Sequence, residues 1–172
     1  AEEVRAASIT AVHLPQGGMP ALGDNPLFLG CADYRSTIAS NAESSGFTFP
    51  EEMRRHADKG TALVTDKDPG DAEIAEVVSQ AAAHSCIVLG TYNGHILQGQ
   101  LRLAKALAAT GLPMILVALR NPYDLRNMPD HVAALAGWEY TRPLFDALWP
   151  VLNGTARPTG KLPLLTLTKA AE

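Results

Sequence analysis

At 172 residues, with 47% hydrophobic and 19% charged residues, the chain has the balance of one globular domain with a single core and no sign of disorder. A net charge of −4 argues against nucleic acid or an anionic membrane surface as partner, since both attract basic patches. No apolar run approaches the roughly 20 residues that span a bilayer, and the opening AEEVRAASIT lacks the basic and apolar regions of a signal peptide.

The first residue is not Met, which fits a processed protein or a domain cut from a longer chain. The compartment stays open between secreted, cell-envelope and cytoplasmic. Cys31 and Cys86 each lie in an apolar run and read as buried free thiols.

In chain order, Ser8–His13 (SITAVH) is a dilute strand pattern, and Leu27–Cys31 (LFLGC) is the first strong one. The stretch Ala32–Pro50 is long and irregular; a connection of that length is functional or holds a short helix, here Ser36–Asn41. Glu51-Glu52 followed by Arg54-Arg55-His56 reads as a solvated helix face. Thr61–Thr65 (TALVT) is the next strand. Asp68-Pro69-Gly70-Asp71 predicts a helix start with Asp68 as N-cap and Pro69 at the first helical position. That helix buries Ile74, Val77, Val78 and Ala81.

Cys86–Thr91 (CIVLGT) is a strand that stops at the polar turn TYNGH. A helix follows from about Ile96 to Ala109, with Leu97, Leu101, Ala104 and Ala108 on one face, and Gly111 and Pro113 stop it. Met114–Leu119 (MILVAL) and His131–Ala134 complete the strands. The last helix starts near Thr141, carries Leu144, Phe145, Leu148 and Leu152, and should be kinked or shortened by Pro150. Asn153-Gly154-Thr155 is formally a glycosylation sequon, but Gly154 suits a helix C-cap.

The strands are continuous apolar runs, as in sheets covered on both faces. Alternation with helices predicts parallel βαβ units and one domain over residues 1–172: an α/β fold, a three-layer α/β/α sandwich around a mostly parallel sheet of five or six strands. Ligands in such sheets bind beyond the carboxyl ends of the strands. That places Asp33, Tyr34 and Arg35, then Thr91, Tyr92 and Asn93, then Arg120, Asn121, Tyr123 and Asp124 at the candidate edge. Tyr and Asn can stack on and bond a sugar or a base, although the same residues make ordinary turns.

Several known chemistries lack their motifs. There is no GxGxxG, no GxxxxGK[ST] and no GxSxG. The five histidines (His13, His56, His84, His95, His131) show no HxxxH or HExxH spacing and neither cysteine has a CxxC partner, so no metal and no cofactor is expected. Asp33, Asp124, Asp130 and Glu139 are the carboxylates that could pair for glycoside hydrolysis, a pairing set by their separation in space.

Taken together, IVLGTYN followed by Gln100, then GLPMILVALRNPYDL, then HVAALAGWEYT leading to NGTARPTGKLPL, resemble the C-terminal domain of family 3 glycoside hydrolases. Within that family the likeness is to two-domain bacterial β-N-acetylglucosaminidases (β-N-acetylhexosaminidases). RAASIT and NPLFLGCADYRSTIASN resemble the start and first strand of the same domain, so the resemblance covers nearly the whole chain.

It implies a parent whose N-terminal (β/α)8 barrel carries an aspartate nucleophile and an Asp–His acid/base pair near a KHFPGHG-like motif. No such string occurs here, and 172 residues cannot also hold a barrel of typically about 250. In the β-glucosidase subgroup the second domain lends a glutamate acid/base, but TYNGHILQGQ has no carboxylate, so no catalytic residue is carried over. The expectation is an accessory domain, silent alone, whose partner is the parent's barrel. Thr91, Tyr92, Asn93, Arg120, Asn121, Tyr123, Asp124, Asp33 and Arg35 are the candidates to touch that barrel or an N-acetylglucosamine-containing saccharide. A flavodoxin-like small-molecule module and a purely structural domain are the alternatives.

Overall fold

The computed structural model describes residues 8–33 and 46–161. Tyr34, Arg35 and the expected helix Ser36–Asn41 lie outside them. The described elements are β1 (Thr10–His13), β2 (Pro26–Cys31), α1 (Phe49–Ala57), β3 (Thr61–Thr65), α2 (Asp71–Ala81), β4 (Cys86–Thr91), α3 (Gly99–Ala108), β5 (Met114–Ala118), β6 (Val132–Ala136) and α4 (Arg142–Leu152). A 3-10 turn, Pro122–Leu125, joins β5 to β6.

The six strands form one sheet in the order β1-β6-β5-β4-β2-β3. Every pairing is parallel except β1 against β6, which is antiparallel and shifts register between Ala11 and His13. The weak pattern SITAVH is thus an edge strand. The apolar runs of β2, β4, β5 and β6 are buried throughout. TALVT is the exception to the both-faces expectation, since β3 closes the other edge and leaves Val64 43% exposed.

Helices cover both faces. On one, Phe49 and Met53 of α1 meet Phe145 and Leu148 of α4; on the other, Ile74 and Val77 of α2 meet Leu103 and Leu107 of α3. This is the three-layer sandwich expected, with two helices per face. Both cysteines are free and buried. Arg54 and Arg55 are on the exposed side of α1, whose N-terminus is capped by Thr48: Glu51 N–H donates to Thr48 Oγ1 and the Thr48 hydroxyl to Glu51 Oε2.

Two helix boundaries differ from the sequence expectation. Helix α2 begins at Asp71 with Gly70 as N-cap, not at Asp68-Pro69. Asp68 is used elsewhere: its Oδ1 accepts from Gly99 N–H at the start of α3 (2.8 Å). Helix α3 begins at Gly99 rather than Ile96, and residues 100, 103, 104, 107 and 108 form its buried side, leaving Leu97 and Leu101 half-buried. The last helix keeps its length despite Pro150 and ends in a Schellman motif, with Gly154 at φ 80°, Thr155 N–H on Pro150 O and Gly154 N–H on Val151 O.

Candidate functional site

The chain runs from β2 outward to β3 and then returns past β2 to β4, so the strand order reverses between β2 and β4. The crevice beyond the carboxyl ends at such a switch point is where open α/β sheets hold ligands. Gly30 and Gly90 face each other there in the β2–β4 register. A Cβ on Gly90 would sit 2.5 Å from Phe49 Cδ1, so glycine lets the first turn of α1 close on the sheet.

Aromatic rings fill the α1–α4 side of this position. Tyr92 meets Tyr140 edge to face at 5.5 Å, and Tyr140 meets Phe145 at 5.1 Å. The Tyr140 hydroxyl donates to Cys31 O (3.0 Å) and accepts from Phe49 N–H (2.7 Å), tying the end of β2 to the start of α1. Burial raises this phenol above its ordinary range, so it is a neutral bridge rather than an acid at neutral pH. Burial likewise pushes the Cys31 thiol up to about 12, which removes it as a nucleophile.

The loop after β4 is clamped from two directions. Gln100, only 3% exposed, accepts from Tyr92 N–H (2.8 Å) and donates to Tyr92 O (2.9 Å) and Lys67 O (2.8 Å). Asp124, fully buried, accepts from Gly94 N–H (2.9 Å) and His95 N–H (2.7 Å), with His95 Nδ1 at 3.4 Å. Between the clamps Asn93 turns the chain at φ 56°, and its carbonyl accepts from Ile96 and Leu97.

The structure therefore brings Thr91, Tyr92, Asn93, Arg120, Asn121, Tyr123 and Asp124 to one edge, but in different environments. Thr91 and Tyr92 are buried, and the Thr91 hydroxyl has no partner among the described residues. Arg120 is exposed; its Nη1 donates to Tyr92 Oη (2.9 Å) and its guanidinium lies 5.7 Å from the ring. Asn121 caps the 3-10 turn by accepting from Tyr123 N–H (3.0 Å), which leaves Tyr123 44% exposed. Asp33 sits at the end of β2, 9% exposed, and Arg35 is outside the described residues. Among the described residues no group of three or more His, Cys, Asp or Glu side chains could hold a metal.

Sequence reading missed the clamping role of Gln100 and the bridge at Tyr140. A polar residue on an otherwise apolar helix face was the available signal for Gln100.

Several solved structures share this fold. One is a glycoside hydrolase family 3 β-N-acetylglucosaminidase from Paenibacillus sp. str. FPU-7, with TM-score 0.80 and 23% identity, over 94% of this chain and 31% of that one. A fungal multi-domain family 3 β-N-acetylglucosaminidase has TM-score 0.69 and 19% identity, over 94% and 19%. A β-glucosidase from Listeria innocua, solved with isofagomine, has TM-score 0.71 and 14% identity, over 91% and 25%. The chain has the fold of one part of family 3 glycoside hydrolases. It spans less than a third of each of these enzymes, which hold further domains. No protein-family model and no curated protein matches the sequence.

Proposed function

We propose that this chain is the C-terminal accessory domain of a family 3 glycoside hydrolase of the β-N-acetylglucosaminidase kind. It packs by its β-strand carboxyl edge on a catalytic (β/α)8 barrel and cleaves no bond itself. Hydrolysis of terminal N-acetylglucosamine belongs to the parent. The observation that carries the reading is Asp124. Retaining hydrolysis needs a nucleophile and an acid on either side of one sugar, yet this carboxylate is buried and committed to the N–H groups of the neighbouring loop. What the edge offers outward is a stiff loop with Asn93, Arg120 and Tyr123 as contacts to the barrel or the rim of its cleft.

The test is turnover of a chromogenic N-acetyl-β-glucosaminide by the purified chain. No release above the buffer rate is expected; release that disappears when Asp33 is replaced by Asn would sink the reading. In the parent, Asn93→Ala and Arg120→Ala should change KM or kcat, and unchanged kinetics with normal folding would leave a purely structural role.

A flavodoxin-like binding module is the second reading, favoured by the order β3-β2-β4-β5-β6, which is that of flavodoxin-like sheets. Titration with FMN separates the two: tight binding supports a module, and its absence supports the accessory domain.

A further inference from the structure

Beside the clamped loop lies a pocket of about 320 Å³, between the start of α3 and the segment after β5. Its wall is cationic and aromatic. Leu101 and Lys105 follow one another at i and i+4 on α3; Tyr123 comes from the 3-10 turn, and Arg126 and Met128 from the residues after it. His95 closes the side nearest β4. No carboxylate lines the pocket, although the chain as a whole carries a net charge of −4.

We propose that this pocket binds a small organic anion, a sugar-sized molecule bearing one phosphate or carboxylate group. The inference goes beyond the accessory-domain reading and does not depend on it. Four observations carry it. Lys105 and Arg126 make no ion pair among the described residues, so no acid among these answers their charge. The Arg126 guanidinium is held 4.2 Å from the Tyr123 ring centroid, and a guanidinium fixed by stacking loses less freedom when it grips an oxyanion.

His95 is the third. Its Nδ1 is buried and faces Asp124, so Nε2 is the nitrogen on the exposed part of the ring. Asp124 itself, fully buried on two backbone N–H groups, does not line the pocket. The fourth is shape. Leu101, Met128 and the exposed part of Tyr123 give the body of the ligand an apolar and aromatic surface, the usual complement to a few fixed polar groups in a small-molecule site.

The test is an amide-detected NMR titration of the chain with glucose 6-phosphate, glucuronate and N-acetylglucosamine, each at constant ionic strength. Saturable shifts at His95, Gln98 and Asn127 are expected with the two anions and not with the neutral sugar. The tighter of the two names the head group. Lys105→Ala and Arg126→Ala, both at exposed positions and checked for folding by far-UV circular dichroism, should each weaken binding about tenfold or more. No saturable shift with either anion, equal binding of N-acetylglucosamine, or affinity unchanged in both variants would overturn the proposal.

Discussion

Gln100 treats Tyr92 much as a neighbouring strand would, accepting from its amide and donating to its carbonyl, with a further bond to Lys67 O. Its removal takes their partner from the buried Tyr92 N–H and C=O and from the part-buried Lys67 C=O. Gln100→Ala should therefore cost about 3 kcal/mol in urea unfolding, since an unmet buried group costs about 1–3 kcal/mol. Asp124→Asn keeps the shape but offers one acceptor where Gly94 and His95 present two donors. We expect a loss of about 2 kcal/mol together with faster amide exchange at residues 94 and 95; unchanged protection there would contradict the clamp. The sequence showed both residues but not their roles. Polar residues ordinarily face outward on a helix or tip a loop, and what buries these two is backbone 8 to 33 residues away.

The elements were largely legible because their ends are written locally. Thr141 caps α4 by accepting from Leu144 N–H, and Gly154 closes it in the left-handed conformation. Gly154→Ala should cost about 1 kcal/mol, because only glycine takes that conformation without strain. The start of α2 was misread for a reason that local rules cannot supply. Asp68-Pro69 has the composition of a helix start, but the Asp68 carboxylate is drawn to Gly99 at the head of α3. At the switch point, Gly90→Ala would press a Cβ onto Phe49 and Leu119. Overpacking of that kind costs about 1–3 kcal/mol, so the thermal midpoint should fall.

For the whole molecule, apolar runs separated by helices were enough to give the layers and the class. The strand order and the antiparallel β1 were not readable, since pairing partners leave no mark on a lone strand. Its buried ionisable groups set an alkaline limit. Burial pushes Cys31 and Cys86 up to about 12, and raises Tyr140 as well. Between the ordinary thiol range and the folded value, the unfolded chain loses protons that the folded chain keeps. Stability is therefore full below about pH 9 and falls as pH rises towards 12, by up to about 1.4 kcal/mol per pH unit for each thiol. Urea midpoints measured from pH 8 upward should show this, and Cys86→Ala should make the decline shallower.

The accessory-domain account is tested most directly by the coding sequence 5′ of Ala1, read in frame. It should encode a (β/α)8 barrel with an Asp–His pair in one of its loops, continuous with this chain. A start codon immediately before Ala1, with no barrel joined to it, would contradict the account.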